Sequence, residues 1–350
     1  MKRVMNLTKK TTYKADFVKA QKSADDVLKN STVKELPVRV KQIAYSFPNL
    51  KIRTYSWFAK KRGFSHKEVC NLVNSHEGCC LYYESLDEYL ILYNDKIPSK
   101  GRKRWTLAHE LGHYVMKHNK ISNNSSLARS SLTEDEYNEF ESEANCFARE
   151  LLAPPPVLNE LKINDPNDIS NLCDISSEAS INVYKFIKQG AQFGIKYSPS
   201  HPVIQLFQEF IFKIKNTQRC LSCNYLFSNA QVDFCPCCGS NNLTKEENIC
   251  RNDLINLGIL TNQNLNKTQK VCPKCENGYL PSESNYCNIC GIFLLNKCTG
   301  SSYQDSKRNN KWHDFHGGCG EILDKTSRYC HRCGSSSTYF ADGLLKEMEN

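Results

Sequence analysis

The sequence predicts an α+β fold, in which a helical core with a small β-sheet is followed by small cysteine-rich modules. Three observations predict it. Two strongly amphipathic helical patterns occupy residues 104–118 and 133–152. Two short β-like runs lie between residues 80 and 93. Twelve of the 19 cysteines form three sets of four beyond residue 216, which predicts small metal-stabilised modules rather than one large second core.

The first helical pattern carries a metal-binding motif. Its apolar residues recur at helical spacing: Trp105, Ala108, Leu111 and Val115. On the same helix His109 and His113 are four residues apart, so both imidazoles point to one side and can reach one metal ion. Glu110, next to the first histidine, can then accept a proton from an attacking water. This arrangement is typical of a zinc hydrolase with a zincin-like core.

The second helical pattern is the best source of a third ligand, because a catalytic zinc site has three protein ligands and one open position. Thr133 and Glu136 have the spacing of a capping box, and Pro154 marks the end of the helix. The candidate ligands on this helix are Glu139, Glu141 and Glu143. Spacing alone does not choose among them.

The two patterns together support a family resemblance. Residues 106–113, Thr-Leu-Ala-His-Glu-Leu-Gly-His, followed by residues 141–154, Glu-Ser-Glu-Ala-Asn-Cys-Phe-Ala-Arg-Glu-Leu-Leu-Ala-Pro, resemble the ImmA/IrrE family of metallo-endopeptidases. The resemblance covers roughly residues 40–190. It implies that the glutamate of the Glu-Ala-Asn element, Glu143, completes the zinc site, with Glu141 and Glu139 as alternatives. Ala153 departs from the methionine that the family often has there. The resemblance also implies a substrate class, the helix-turn-helix DNA-binding repressors, whose cleavage relieves repression.

The segment before the motif helix predicts a small sheet. Residues 80–83 and 89–93 have β-like composition, and residues 86–88 lie between them as a turn. Ser65 and Glu68 form a capping box that starts a helix running to about Ser75. By analogy with other zincins, one strand edge near the site is expected to bind the substrate peptide as an added strand.

Residues 168–187 predict two short helices with a turn near Asp174. A DNA-reading helix-turn-helix is one interpretation, and a closing element of the peptidase core is the other. We favour the closing element, because the same segment occurs in the ImmA/IrrE resemblance.

Two of the cysteine sets have the spacing of regular zinc ribbons, in which two Cys-x-x-Cys pairs are separated by eleven residues. A glycine follows the last cysteine of each set, which suits the tight turn around a metal-bound thiolate. The ligands predicted for ribbon 1 are Cys220, Cys223, Cys235 and Cys238, and those for ribbon 2 are Cys272, Cys275, Cys287 and Cys290.

The third set is irregular. Cys330 and Cys333 form a clean second pair, but Cys319 must combine with the distant Cys298 across an inserted loop. His316 could replace Cys298, since His316 and Cys319 also have the spacing of a pair. We favour the four cysteines.

Charge and cysteine usage indicate the setting of the protein. Residues 1–62 hold 16 Lys and Arg against 4 Asp and Glu, so a basic N-terminal arm could contact nucleic acid. We favour a solvated arm instead. The chain has no run of eighteen apolar residues, and its first ten residues lack the apolar segment of a secretory signal. Metal-binding and free thiols together predict a reducing compartment, the cytoplasm, with no membrane partner.

These observations predict six segments: a basic arm (1–36), an ImmA/IrrE-like zinc metallopeptidase domain (37–190), a linker with an amphipathic helix (191–215), and ribbons 1 (216–245), 2 (268–293) and 3 (294–340). The expected cofactors are one catalytic and about three structural Zn²⁺ ions.

The first hypothesis is an endopeptidase that cleaves a helix-turn-helix repressor, with ribbons that dock onto protein. The near-neutral charge of the ribbon segment and its few aromatic residues weaken the case for nucleic-acid binding. The alternative is a zinc-ribbon regulatory protein, binding protein or nucleic acid, whose zincin domain is a scaffold of low activity.

Overall fold

The computed structural model of the chain describes residues 14–122, 134–163, 165–228, 232–245, 271–277, 280, 285–300 and 319–347. The chain divides into two compact units, Met1–Ile211 (unit 1) and Phe212–Asn350 (unit 2). Their boundary falls inside the segment predicted as a linker with an amphipathic helix. Within the described ranges, no helix is long and apolar enough to cross a membrane.

The elements up to residue 215 alternate short strands with helices of very different lengths. In chain order they are α1 (Phe17–Asn30), α2 (Val40–Tyr45), β1 (Leu50–Thr54), α3 (Tyr55–Arg62), α4 (His66–Leu72), β2 (Gly78–Tyr83), β3 (Glu88–Tyr93), α5 (Lys100–Met116), α6 (His118–Ser122), α7 (Glu134–Leu152), α8 (Pro155–Glu160), α9 (Pro166–Cys173), α10 (Ser177–Gln192), α11 (Pro202–Leu206) and α12 (Gln208–Lys215).

Unit 1 contains the predicted small sheet with one strand more than the sequence indicated. The strand order is β1-β3-β2, with β1 parallel and β2 antiparallel to β3. The predicted turn between β2 and β3 is confirmed, and Asp87 adopts the left-handed conformation there. The predicted capping box of Ser65 and Glu68 is also present at the start of α4. The α+β prediction is therefore confirmed, and the sheet lies beside the two long helices.

The packing of α5 against α7 forms the centre of unit 1. Leu107, Ala108 and Leu111 of α5 are buried, as are Phe147 and Leu151 of α7. Gly112 allows the two helices to approach closely, because a Cβ atom there would lie 3.1 Å from Cδ1 of Phe147. The glycine reduces the intrinsic stability of the helix, and in return it lets the phenylalanine ring pack directly on the α5 backbone.

The described part of the predicted basic arm differs from the expectation. Residues 17–30 form α1, which begins at the cap residue Asp16 and packs on α7. Ala20, Ala24 and Leu28 are fully buried. Because these residues repeat every four positions, they give the helix an apolar face that the core covers, while its lysines stay outside. The expectation of a solvated arm therefore does not hold for residues 17–30, and residues 1–13 lie outside the described ranges.

The predicted helix pair around Asp174 is confirmed as α9 and α10, and it closes the core. Asp174 adopts the left-handed conformation between the two helices. Arg104 of α5 donates hydrogen bonds to the backbone oxygens of Cys173 and Asp174 at 3.2 and 2.9 Å. Several residues of α10 also line the cavity described below. These contacts support the interpretation as a closing element rather than a DNA-reading surface.

Unit 2 contains little regular secondary structure in its described residues. It has a three-stranded antiparallel sheet in ribbon 1 and one short helix near the C-terminus. The elements are β4 (Thr217–Cys220), β5 (Leu226–Ser228), β6 (Leu243–Lys245) and α13 (Thr338–Ala341). The buried clusters of this unit are built around cysteines, each with only a few apolar side chains.

Ribbons 1 and 3 pair through their second cysteine pairs in a reciprocal way. The backbone N–H of Phe234 donates to the oxygen of His331, and that of Tyr329 donates to the oxygen of Pro236, at 2.9 and 3.0 Å. Phe234 packs on Gly334, and Tyr329 packs on Gly239. Corresponding residues of ribbons 1 and 3 therefore make corresponding contacts with the other ribbon, and the two ribbons pack together as a pair.

Candidate metal centre and active site

Helix α5 brings the two histidines of the motif together. The helix begins at Ser99, whose side chain accepts a hydrogen bond from the N–H of Arg102, and it ends at Lys117 in the left-handed conformation. His109 and His113 lie one turn apart, and their Nε2 atoms are 3.0 Å from each other. Two nitrogens bound to one zinc ion at about 2.0–2.1 Å in tetrahedral geometry would be roughly 3.3 Å apart. The pair is therefore already close to the spacing of two zinc ligands.

Helix α7 brings Glu141 to the two histidines. One carboxylate oxygen of Glu141 lies 3.1 Å from Nε2 of His109, and the other lies 3.4 Å from Nε2 of His113. The three side chains form one of the groups of the described residues that could hold a metal ion.

This arrangement corrects the sequence-based choice of Glu143. Side chains two residues apart on an α-helix point in directions about 200° apart. Glu141 and Glu143 therefore cannot both face the histidines of α5. Glu143 is fully buried on another side of the helix. Glu139, the remaining alternative, accepts a hydrogen bond from the N–H of Ala15 at 2.7 Å. Glu141, two residues before the glutamate of the Glu-Ala-Asn element, is the side chain that faces the two histidines.

Burial and mutual contacts shift the pKa values of His109, His113 and Glu141. Burial lowers the pKa of His109, but the contact with Glu141 outweighs burial and raises this pKa to about 9. Burial lowers the pKa of His113 to about 4. Burial also raises the pKa of Glu141, but its contacts with His109 and His113 outweigh burial and hold this pKa well below its usual range. The group is thus an ion pair between His109 and Glu141, with a neutral His113 beside it.

Glu110 lies beside this group in a confined position. It is 7% exposed. The backbone of β2 packs against it, because a Cβ atom added at Gly78 would lie 3.2 Å from Oε1 of Glu110 and 2.6 Å from Cγ2 of Thr106. Burial raises the pKa of Glu110 to about 7, although His109 opposes the rise. A carboxyl group with a pKa near neutrality is suited to accept and return a proton at physiological pH.

Behind His113 lie Glu143, which was predicted as a zinc ligand, and His118. His118 and Glu143 are both fully buried. Nδ1 of His118 is 2.8 Å from Nδ1 of His113, and Nε2 of His118 is 2.8 Å from Oε2 of Glu143. Helical spacing does not place His118 on the face of His109 and His113, so the sequence pattern does not reveal this contact.

Two further side chains complete the surroundings of the motif. Asn145 lies four residues after Glu141 on the same face of α7, and its Oδ1 is 3.1 Å from Nδ1 of His109. The spacing from Glu141 was the sequence signal that could have found it. Tyr114 points away from the site, since its hydroxyl donates to Oδ1 of Asn49 at 2.6 Å. It is therefore not placed to stabilise an oxyanion.

The group opens into a cavity of about 930 Å³. Its walls come from β2, α5, α7 and α10. Arg102 and Arg149 lie along it with Glu77 and Glu178, so the lining is polar and carries both signs of charge. This volume is near the upper end of the range of small-molecule sites, and it is large enough to receive several residues of an extended peptide.

The structure also brings together the three cysteine sets of unit 2. In each set four Sγ atoms lie within 4.8 Å of one another. The grouped residues are Cys220, Cys223, Cys235 and Cys238; Cys272, Cys275, Cys287 and Cys290; and Cys298, Cys319, Cys330 and Cys333. Cys298 thus joins the third set, 3.4 Å from Cys333. His316, its alternative, lies outside the described residues. All three groups are compatible with small zinc-binding modules.

Comparison with known families identifies the domain around the histidines. Residues 74–178 match the family model Peptidase_M78, described as the IrrE N-terminal-like domain. This segment belongs to the M78 peptidase family. It extends from the end of α4 to the start of α10 and contains His109, Glu110, His113 and Glu141. The ImmA/IrrE resemblance is thereby confirmed, and with it a domain of the metallopeptidase type. No curated protein matches the chain.

Proposed function

We propose that this chain is a zinc-dependent endopeptidase whose catalytic zinc is held by His109, His113 and Glu141. The observation that carries the proposal is the convergence of these three side chains at the wall of a large cavity, next to the buried Glu110. Two histidines and one glutamate are a donor set of catalytic zinc sites, which keep a further position open. The donor types and the 3.0 Å between the histidine nitrogens both fit zinc.

Zinc bound there would supply Lewis-acid chemistry that lowers the pKa of water and polarises a carbonyl group. Glu110 accepts a proton from the attacking water as its oxygen bonds to the carbonyl carbon of the scissile peptide. The same carboxyl group then gives that proton to the leaving nitrogen as the carbon–nitrogen bond breaks. Burial raises the pKa of Glu110, which favours return of the proton, and its confined position against Gly78 keeps it directed into the site.

The edge of β2 is the expected binding surface for the substrate backbone. In the described sheet β2 has β3 as its neighbour on one side. Gly78, Cys79 and Cys80 of this strand line the cavity. An extended peptide that pairs with this edge would cross in front of Glu110, with backbone hydrogen bonds holding its scissile bond in place.

The proposed substrate is a helix-turn-helix DNA-binding repressor, whose cleavage relieves repression. This choice rests on the ImmA/IrrE family relationship. The ribbons are proposed to dock the substrate protein. Leu221 and Ile289, inside cysteine pairs of ribbons 1 and 2, are 60% and 70% exposed. Exposed apolar side chains at such positions favour a protein partner over nucleic acid.

Cleavage by matched variants tests the catalytic proposal. The wild-type chain, Glu110→Gln and the control Glu84→Gln are each co-expressed with a candidate helix-turn-helix repressor from the same genome. Glutamine keeps the shape of Glu110 but cannot accept the proton. We expect cleavage with wild type and with Glu84→Gln, and none with Glu110→Gln at unchanged zinc content. Cleavage that persists in Glu110→Gln would refute the mechanism.

Docking through the ribbons has its own test. In Leu221→Ser/Ile289→Ser, we expect slower cleavage of the intact repressor but unchanged cleavage of a short peptide that spans the same site. Equal rates on the intact repressor would refute docking and leave the catalytic proposal in place.

A further inference from the structure

The buried pair of His118 and Glu143 forms one continuous chain of side chains with His113. The contacts run from Glu143 to His118 at 2.8 Å and from His118 to His113 at 2.8 Å. All three side chains lie at or below 3% exposure. The chain ends at Nε2 of His113, which faces Glu141 and His109.

The chemistry of these groups sets the direction of each hydrogen bond. With Glu143 as a carboxylate, which also accepts the N–H of Asp16, Nε2–H of His118 donates to its other oxygen. A neutral imidazole has one donor and one acceptor, so Nδ1 of His118 accepts. Nδ1–H of His113 therefore donates to His118. This leaves Nε2 of His113 without a proton, in the form that binds a metal ion.

Local structure explains why these residues meet. Lys117 ends α5 in the left-handed conformation, so His118 does not continue the helix and instead turns back towards His113. The ring of His118 stacks on Phe140, with centroids 4.6 Å apart. The N–H of Asp16 donates to the second carboxylate oxygen of Glu143. His118 and Glu143 are thus each held by a neighbour outside the chain.

We propose that Glu143 and His118 are positioning residues that fix the orientation and tautomer of His113 for metal binding. The inference rests on the proposed zinc site. It goes beyond that site because it gives a role to two residues that do not touch the ion. Side chains that hold a metal-binding histidine in this way typically contribute about 10–100-fold to metal affinity.

Metal titration of the full chain tests the proposal. The ribbons are first loaded with three Zn²⁺ equivalents, because thiolates select zinc strongly. Co²⁺ is then titrated into the remaining site and followed by its visible absorption. His118→Phe keeps the ring and its packing but breaks the chain. His118→Gln is the rescue variant, since its amide can accept from His113 and donate to Glu143. Glu139→Gln is the matched control, because Glu139 also accepts a backbone N–H near α1.

We expect the Kd for Co²⁺ to rise about 10–100-fold in His118→Phe and less in Glu143→Gln. His118→Gln should stay within about threefold of wild type, and Glu139→Gln should be unchanged. In the metal-free protein, nitrogen-15 NMR should find the proton of His113 on Nδ1 in wild type and on Nε2 in His118→Phe.

Equal Co²⁺ affinity in wild type and His118→Phe, or the same tautomer in both, would overturn the positioning role. A wild-type chain that binds no fourth metal ion would instead refute the zinc site itself. The two failures are therefore distinguishable.

Discussion

The two units of the molecule use different donor groups for different ends: two histidines and a glutamate in unit 1, and sets of four cysteines in unit 2. Unit 1 has a continuous apolar core, with Phe147, Leu151 and Leu152 fully buried, and its metal-binding group lies at the wall of a cavity. In unit 2 the cysteines are themselves the centres of the buried clusters. A metal ion in unit 1 would therefore act in catalysis, whereas metal ions in unit 2 would stabilise the fold.

Removal of metal should affect the folding of the two units differently, and this is the largest effect that we expect. We expect removal of all metal by a strong chelator to abolish amide protection around residues 235–239 and 330–334, because such small modules have too little core to fold alone. The amides of α5 and α7 should stay protected. Hydrogen exchange with mass spectrometry measures both. Persistent protection of the cysteine pairs in metal-free protein would contradict the comparison.

Truncation of the unit 1 core should have the next largest effect. Phe147→Ala removes a fully buried ring that packs on Gly112, so the free energy of unfolding should fall by about 3–5 kcal/mol. The matched control is Phe193→Ala, where the ring is 78% exposed and the change should be within about 0.5 kcal/mol. Denaturation followed by far-ultraviolet circular dichroism measures both. A loss of metal from the ribbons in Phe147→Ala would contradict the independence of the two cores.

Glycines of the cysteine pairs allow a sharper comparison inside unit 2. Gly334 and Gly291 have similar positive φ values, +74° and +69°, but a ring packs only on Gly334. Alanine at either position costs about 1–2 kcal/mol for the left-handed conformation. Gly334→Ala should cost about 1–3 kcal/mol more, because its Cβ would lie 3.0 Å from Cδ1 of Phe234. Chelator concentrations that release half of the zinc measure the difference. Equal values would argue against the pairing of ribbons 1 and 3.

Asp25 should give unit 1 a small dependence of stability on pH. Burial raises the pKa of Asp25 to about 6, with a further contribution from Asp26. Since the folded pKa exceeds the unfolded value, the stabilising effect of protonation is complete below about pH 4 and is lost as the pH rises through 6. Asp25→Asn should therefore raise stability at pH 7 by about 1 kcal/mol, as the side chain stays partly solvated. Glu84→Gln, at an exposed position that does not contribute to the pKa of Asp25, is the control. Thermal unfolding between pH 4 and 7 measures this, and an unchanged slope in Asp25→Asn would contradict the assignment.

The sequence predicted those features that depend on neighbours along the chain. His109 and His113 follow from helical spacing, and the turn at Asp87 and the capping box at Ser65 follow from local residue types. Which glutamate of α7 faces α5 depends on the rotation of one helix against another, and no local pattern encodes it. Spacing therefore left Glu139, Glu141 and Glu143 open, and the choice of Glu143 rested on the family resemblance alone.

His118 was missed for a related reason. Its contact with His113 requires α5 to end at Lys117 and the chain to turn back, and a helical projection continued through that residue points His118 elsewhere. The burial of α1 was missed because lysines surround its narrow apolar face, which only a packed partner reveals.

The zinc content of the purified protein tests whether His109, His113 and Glu141 form a metal site. We predict four zinc ions per chain in wild type and three in Glu141→Ala, since Glu141 lies 3.1 Å from Nε2 of His109 and the ribbons are untouched. Three ions in wild type, or four retained in Glu141→Ala, would contradict a zinc site formed by His109, His113 and Glu141.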